Sequence, residues 1–144
     1  MKTRVLFICV HNSARSQMAE ALMNQICGDE FEAHSAGLEP GTLNSLVVQS
    51  LNEIGIDISQ SKTKRVFDVF RSGLTFKYVV SVCESSERGP IFPGVATRLH
   101  WSFPDPAKFE GTSEQCLDRV RELRDIMTDK IQEWYGELAG AMAA

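Results

Sequence analysis

The sequence predicts an α/β fold: a single three-layer domain with a central four-stranded parallel sheet and helices on both faces. The 144 residues match the size of one domain, so we expect residues 1–144 to fold as one unit. The hydrophobic fraction of 43% is ordinary for a globular protein. Apolar strand patterns alternate with helical patterns along the chain, and this alternation indicates crossover connections between parallel strands.

Four segments have the composition of buried strands. Residues 5–10 form a continuous apolar run rich in β-branched side chains, which is typical of a strand buried on both faces. Three further strands are predicted at 31–36, 77–83 and 97–103. The carboxyl ends of parallel strands are where open α/β sheets bind ligands, so the residues that follow these strands are candidate site residues.

Three helices are predicted from apolar spacings of three and four residues. The first helix ends at Gly28 and the second ends before Gly55. The third begins at Thr112, which forms a capping box with Gln115. Their apolar faces comprise Met18, Ala21, Leu22 and Ile26; then Leu43, Val47, Leu51 and Ile54; and finally Leu117, Val120, Leu123, Met127, Ile131, Trp134 and Leu138.

Composition and charge exclude several classes of function. With 15 Lys and Arg against 19 Asp and Glu, the net charge of -4 gives no general attraction to nucleic acid or anionic membranes. An anionic ligand therefore requires a local site. The longest apolar run is far too short to span a membrane, and no secretory leader pattern is present, so we expect a cytoplasmic protein.

The four cysteines are Cys9, Cys27, Cys83 and Cys116. They form no C-x-x-C pair and have no histidine at zinc-ligand spacing, so we expect no metal site. A structural disulfide framework is also not expected in the reducing cytosol. The question is therefore which cysteine is reactive.

The loop after the first strand has the form C-x5-R-S and predicts an oxyanion site. A loop that enters a helix N-terminus directs backbone N–H groups and the helix dipole at one point, which stabilises both a bound oxyanion and a thiolate. The Arg15 guanidinium can hold two oxygens of a tetrahedral anion, and the Ser16 hydroxyl can donate to the Cys9 sulfur. The alternative, that Cys9 only fills the core, leaves a cation unexplained at a helix start. The predicted oxyanion-binding residues are Val10, His11, Asn12, Ser13, Ala14, Arg15 and Ser16.

Asp105 is the candidate general acid. It lies between Pro104 and Pro106, just beyond the fourth predicted strand, and the prolines stiffen the backbone around its carboxyl group. A Pro-Asp-Pro sequence by itself is more typical of a simple turn. The C-x5-R-S loop favours the catalytic interpretation, because displacement at sulfur requires a proton donor for the leaving oxygen.

The chain resembles the low-molecular-weight protein tyrosine phosphatase family and, within it, the thiol-dependent arsenate reductases. The matching segments are VLFICVHNSARSQMAEAL at 5–22, HSAG at 34–37, EIGIDIS at 53–59, VVSVC at 79–83 and the pair Asp105-Pro106. The resemblance implies that Cys9 is the nucleophile, that Arg15 and the loop amides bind the oxyanion, and that Asp105 is the acid. It implies that Asn12 and Ser16 hold the loop and tune the thiol.

Two features favour a reductase that converts arsenate to arsenite in arsenic detoxification. Family phosphatases usually carry aromatic residues after the Asp-Pro pair to sandwich a phosphotyrosine ring, but Ala107 and Lys108 follow here, and residues 40–42 offer no ring either. The reductases keep a resolving thiol where this chain has Cys83, although a buried strand-end cysteine is the alternative interpretation. A phosphatase that hydrolyses phosphotyrosine through a Cys9 phosphocysteine, and a non-catalytic oxyanion-binding protein, remain alternatives.

The chain departs from the relatives in two ways. Thioredoxin-coupled reductases carry a third cysteine soon after the resolving one, but residues 84–93 contain none. We expect no bound cofactor and an external reductant, either thioredoxin, glutathione with glutaredoxin, or mycothiol.

Some relatives bind potassium beside the loop, whereas this chain has Lys62 and Lys64 there, so we expect an ammonium group to replace the cation with Glu20 and Ser35 as partners. An ordinary surface lysine is the alternative. The expected ligand is a small oxyanion: arsenate, phosphate or sulfate.

Overall fold

The computed structural model describes residues 1–84 and 91–143, with the backbone alone described for residues 141–143. The strands are β1 (Thr3–Cys9), β2 (Phe31–Gly37), β3 (Tyr78–Ser81) and β4 (Thr97–His100). The α-helices are α1 (Arg15–Cys27), α2 (Ser45–Asn52), α3 (Val66–Arg71) and α4 (Ser113–Ala143), and a short 3₁₀ turn covers Pro106–Lys108.

The four strands form one parallel sheet in the order β2-β1-β3-β4, which confirms the predicted sheet. Cys9 pairs with Gly37 at the carboxyl end of β1, while Ile8 pairs with Ser81 and Ser81 pairs with His100. The ends of all four strands therefore meet at one edge of the sheet. The β1–α1 loop begins at this edge, in the centre of the sheet.

Side chains alternate across β1 between two separate clusters of buried residues. Val5, Phe7 and Cys9 pack on the face covered by α1, α2 and α4. Leu6 and Ile8 pack on the opposite face, which α3 covers with its valine side chains. Helices thus cover both faces of the sheet, as predicted, and β1 is buried on both sides.

The predicted strands at 77–83 and 97–103 were too long. Residues 82 and 101 each continue the backbone hydrogen bonding by one bond, Val82 N to Ile8 O at 3.0 Å and Trp101 N to Ser81 O at 2.8 Å. The chain then leaves the sheet. Apolar residues continue past both strand ends because they pack into the core from the connecting segments, so composition alone could not show where pairing stops.

The helices differ from the prediction in two places. The second helix is shorter than 43–54, since the Asn44 side chain accepts from the N–H groups of Leu46 and Val47 and caps the helix there. At its other end Ile54 lies beyond the helix and is 46% exposed. Helix α3 was not predicted. It has six residues and leaves Phe67 and Phe70 exposed, so its apolar residues do not mark one face.

Helix α4 follows the predicted pattern closely. The Thr112 N–H donates to Gln115 Oε1 at 2.9 Å, and the Gln115 N–H donates to Thr112 Oγ1 at 3.1 Å, which confirms the capping box. Within residues 1–84 and 91–143, no helix combines the length and the apolar character needed to cross a membrane.

Gly37 ends β2 directly against the β1–α1 loop. A Cβ atom at this position would lie 2.7 Å from Asn12 N, 2.8 Å from His11 C and 2.9 Å from Val10 O. All three are backbone atoms, which cannot rotate away as a side chain can. The absence of a side chain at Gly37 is therefore what lets the loop lie against the end of β2.

We predict that Gly37→Ala lowers the free energy of unfolding by about 1–3 kcal/mol, because the added methyl group overpacks a backbone contact. Urea unfolding measures the change. The matched control is Gly136→Ala in α4, where a Cβ would meet no described atom within 4 Å. That variant should gain about 0.5–1 kcal/mol from helix propensity. If Gly37→Ala is as stable as the unmodified protein, the close packing described above is wrong.

Candidate active site

The β1–α1 loop directs its carbonyl groups outwards, because they accept hydrogen bonds from the segment after β2. Four carbonyl oxygens in the loop accept from backbone N–H groups of residues 38–44. The bonds are Leu38 N to Cys9 O (3.2 Å), Glu39 N to Val10 O (2.9 Å), Gly41 N to His11 O (2.9 Å) and Asn44 N to Ser13 O (2.8 Å). In a trans peptide the carbonyl and the next N–H point in opposite directions. The N–H groups of residues 10, 11, 12 and 14 therefore point away from this segment, towards the inside of the loop.

The Cys9 sulfur lies inside this loop and is surrounded by donors. It accepts from the Asn12 backbone N–H at 3.1 Å and lies 2.8 Å from Ser16 Oγ. Ser16 Oγ itself accepts from Asn12 Nδ2 at 2.7 Å, so its hydroxyl hydrogen is available to the sulfur. Helix α1 starts beside it with no acid in its first turn, and no described side chain caps its N-terminus. The donors are thus directed at the atom that would act as the nucleophile.

Asn12 holds the loop in its shape. Its φ is 55°, and no other described non-glycine residue has a positive φ. Asparagine tolerates this left-handed conformation better than most residues. Its buried Oδ1 accepts from Gln17 Nε2 at 3.2 Å and from the Lys64 N–H at 2.8 Å. Gln17 also donates to Lys62 O at 3.0 Å. The roles of Gln17 and of the 62–64 backbone were missed by the sequence analysis, since nothing in the local pattern predicts these contacts.

Arg15 connects the loop to the segment that carries Asp105. Its side chain is 4% exposed, Nη1 donates to Phe103 O at 3.1 Å, and Nη2 lies 3.7 Å from Asp105 Oδ2. The Asp105 carboxyl is 17% exposed, and its Oδ1 accepts from the Ala107 N–H at 3.0 Å. The structure thus places the predicted arginine and acid together at the loop. It also shows a contact that the sequence did not indicate: the Asp105 N–H donates to Glu84 Oε1 at 3.2 Å.

Cys83 lies on the same side of the sheet as Cys9 because β3 ends early. Val80 and Val82 face the Cys9 side and Val79 faces the other side, so a regular strand would turn Cys83 away from Cys9. The chain leaves the strand after Ser81, and Cys83 packs in the cluster that contains Cys9, with 1% of its surface exposed. All four cysteines lie in the described part of the chain, where no disulfide joins them.

The other two cysteines lie outside the loop, and neither had been assigned a role. Cys27 is at the far end of α1, where burial raises the pKa of its thiol to about 11 and the nearby Glu30 carboxylate adds to the shift. Its thiol donates to Met23 O at 3.3 Å. Cys116 is half-buried in the first turn of α4. A protonated thiol such as that of Cys27 is a poor nucleophile.

The Lys64 ammonium lies beside the loop, next to Glu20. Lys64 Nζ is 3.7 Å from Glu20 Oε1, and the same oxygen accepts from Ser35 Oγ at 3.3 Å. Lys62 is exposed and contributes its backbone carbonyl to the site. Burial raises the pKa of Glu20, and the Lys64 charge partly opposes this rise. Of the two lysines considered, Lys64 is the one whose ammonium group is paired with Glu20, the carboxylate that Ser35 also contacts.

Among the described residues, no group of three or more His, Cys, Asp or Glu side chains is arranged to hold a metal ion. The site consists of backbone N–H groups, one buried arginine, a cysteine and a carboxyl group. This set of groups suits a tetrahedral oxyanion and a covalent step at sulfur.

The chain is similar to proteins named arsenate reductase. One from Shouchella clausii is 36% identical over 135 residues, which are 92% of this chain and 95% of the relative. The solved structure of an arsenate reductase from Archaeoglobus fulgidus has a TM-score of 0.65 at 34% identity and covers 85% of this chain and 98% of its own. A thioredoxin-dependent arsenate reductase from Corynebacterium glutamicum has a TM-score of 0.70 at 30% identity, covers 97% of this chain and is matched over 63% of its own length.

A family model described as low molecular weight phosphotyrosine protein phosphatase matches residues 4–89. The match includes the Cys9 loop and the Cys83 segment, and the reductase relatives extend the similarity over more than nine-tenths of the chain. The predicted family resemblance is thereby confirmed. The chain belongs to the low molecular weight phosphotyrosine protein phosphatase family.

Proposed function

We propose that this protein is an arsenate reductase that converts arsenate to arsenite through a covalent adduct on Cys9. The observation that carries this proposal is the β1–α1 loop, whose carbonyl groups bond outwards, whose Asn12 N–H and Ser16 hydroxyl contact the Cys9 sulfur, and whose buried arginine lies beside Asp105. Relatives that carry the name arsenate reductase match nearly the whole chain and support the same activity.

In the first step the loop N–H groups and the Arg15 guanidinium bind the arsenate oxygens. The Cys9 thiolate attacks arsenic, a sulfur–arsenic bond forms, and one arsenic–oxygen bond breaks. Asp105 donates a proton to the departing oxygen, which leaves as water. The role of the loop is electrostatic, since its donors are already oriented towards the charge that the reaction handles.

In the second step the Cys83 thiolate attacks the Cys9 sulfur. A Cys9–Cys83 disulfide forms and the sulfur–arsenic bond breaks, with its electron pair remaining on arsenic. The two thiols lose two electrons, arsenic(V) becomes arsenic(III), and arsenite leaves. The position of Cys83 on the Cys9 side of the sheet supports this role.

An external thiol reductant then regenerates the two thiols. With no further cysteine in residues 84–93, the disulfide is not passed to a third cysteine in that segment. We propose a dithiol protein such as thioredoxin or glutaredoxin, or a small thiol such as glutathione or mycothiol, acting in the cytoplasm where thiols stay reduced. The Corynebacterium glutamicum relative is described as thioredoxin-dependent.

A phosphatase acting on phosphotyrosine is the second candidate, because the matched family model is that of a phosphatase. The nucleophile, arginine and acid would serve both reactions. The small residues next to the acid favour the reductase, since Ala107 and Lys108 provide no ring to sandwich an aromatic substrate.

We further propose that the Lys64 ammonium takes the place of the potassium ion that some relatives bind beside this loop. Its distance of 3.7 Å from Glu20 Oε1 supports this role, because a bound cation would need the same carboxylate oxygen. The residues of this chain therefore do not suit a bound potassium ion.

We predict that the reduced protein forms arsenite from arsenate in the presence of a thiol reductant, and that Cys9→Ser lowers the rate by about 10³-fold or more. The assay compares thioredoxin, glutathione with glutaredoxin, and mycothiol systems, with p-nitrophenyl phosphate hydrolysis measured in parallel. Cys116→Ser is the control and should leave the rate unchanged. Rapid aryl phosphate hydrolysis without thiol-dependent loss of arsenate would show a phosphatase instead. Oxyanion binding without either reaction would show a non-catalytic binding protein.

We predict that Cys83→Ser abolishes repeated arsenite formation but leaves any aryl phosphate hydrolysis intact, because only the reduction requires a second sulfur. Mass spectrometry of the reacted protein should detect a Cys9–Cys83 disulfide in the unmodified chain and in the control, but not in Cys83→Ser. Cys27→Ser, at another buried cysteine, is the matched control. Sustained reduction by Cys83→Ser would make Cys83 a packing residue.

We predict that arsenate turnover of the unmodified protein differs by less than about twofold between potassium and sodium buffers.

Lys64→Ala should lose up to about 1 kcal/mol of unfolding free energy in sodium, because the Glu20 carboxylate loses its partner, and should recover part of it in potassium. Lys62→Ala, at an exposed position, is the control. An equal response of both variants to potassium would contradict the special role of Lys64.

A further inference from the structure

We propose that Glu84 is a positioning residue for Asp105, which it holds in place for proton donation. The inference rests on the proposed function, in which Asp105 is the acid. Pro104 and Pro106 have no backbone N–H, so the N–H of Asp105 is the one backbone donor of residues 104–106. That donor lies 3.2 Å from Glu84 Oε1. Glu84 thus holds Asp105 through its backbone N–H, which lies next to the carboxyl group that reacts.

The other hydrogen bonds of Asp105 shape its turn but do not anchor it. The Ala107 N–H donates to Asp105 Oδ1 at 3.0 Å, and the Lys108 N–H donates to Asp105 O at 3.0 Å. Both partners belong to the same short turn and move with it. Among the described residues, the hydrogen bonds and the ion pair that join residues 103–105 to other parts of the molecule come from Arg15, through Phe103 O and the Asp105 carboxylate, and from Glu84.

Arg15 cannot serve as a constant anchor during the reaction, because its guanidinium is also the side chain that binds the oxyanion. An Arg15 N–H group that donates to Asp105 is not available to the substrate at the same time. The Glu84 contact does not involve the oxyanion. It is a hydrogen bond to a charged, partly buried acceptor, a type that is stronger than a bond between neutral groups. Glu84 therefore keeps the acid in position while Arg15 holds the substrate.

The contact also connects the acid to the proposed resolving residue. Glu84 directly follows Cys83, and consecutive Cα atoms are about 3.8 Å apart. A disulfide requires the two sulfurs to approach to about 2.05 Å. Formation of a Cys9–Cys83 disulfide would therefore act on the residue directly before the Glu84 anchor, at a stage when proton donation by Asp105 is already complete.

A double-mutant cycle on Glu84 and Asp105 tests this role. The reduced protein is mixed with arsenate without an external reductant, and the rate of arsenite release in a single turnover is measured by rapid quenching. Glu84→Ala should slow this rate by about tenfold, because a small displacement of a catalytic group is costly. Glu84→Gln retains an acceptor oxygen and should stay within about threefold of the unmodified rate. In the Asp105→Ala background, Glu84→Ala should change the rate by less than about twofold.

Two further variants keep the test decisive. Glu84→Met has a similar length without the acceptor oxygen and replaces Glu84→Ala if that variant does not fold, as judged by circular dichroism. Glu32→Ala is the control: this partly exposed carboxylate binds Arg4 and His34 at the opposite end of the sheet, and its removal should not alter the rate.

An equal slowing by Glu84→Ala with and without Asp105, or no slowing at all, overturns the positioning role while the reductase function stands. A protein that releases no arsenite but hydrolyses phenyl phosphate contradicts the reductase function. The same cycle is then measured on that hydrolysis, which also uses Cys9 and a proton donor, and non-additive rates there support the role of Glu84. A protein inert towards both substrates overturns both proposals.

Discussion

The site depends on one constraint, the outward hydrogen bonding of the carbonyl groups between Cys9 and Ser13. Each bond to residues 38–44 orients a peptide plane so that its N–H points away from that segment, and the Asn12 N–H donates to the Cys9 sulfur. Gly37 permits the close approach that these bonds require. A loop with its peptides turned the other way would present oxygens to an anion and repel it. The arginine and the helix start would then have nothing to bind.

The site is suited to an anion although the whole chain carries a net negative charge. The net charge of -4 disfavours anions in general, but the loop combines oriented N–H groups, an uncapped helix start and the buried Arg15. Among the described ion pairs, this arginine is paired with Asp105, the proposed proton donor. Specific geometry therefore decides what the site binds, while the overall charge excludes non-specific polyanions.

Much of the fold could be predicted because its patterns are strong and local. The seven apolar positions of α4, its capping box and the continuous apolar run of β1 can each be recognised from neighbouring residues alone. The ends of β3 and β4 and the short helix α3 were not predictable in this way. A strand ends where the neighbouring strand no longer provides backbone hydrogen-bond partners. Helix α3 is too short to show a helical spacing of apolar residues.

The sequence by itself determined which residues make up the loop of the proposed nucleophile, since Cys9, Arg15 and Ser16 lie within one short segment of the chain. The proposed acid, Asp105, was marked by the prolines on either side of it. The shape of the loop was not determined in this way, because it depends on bonds from residues 38–44. Only the tertiary structure decided that Cys83 lies on the Cys9 side, that Lys64 rather than Lys62 lies beside Glu20, and that Glu84 holds Asp105. These relations join residues that are distant in the chain or depend on where a strand ends. They follow from the packing of separate elements against one another, which no local pattern records.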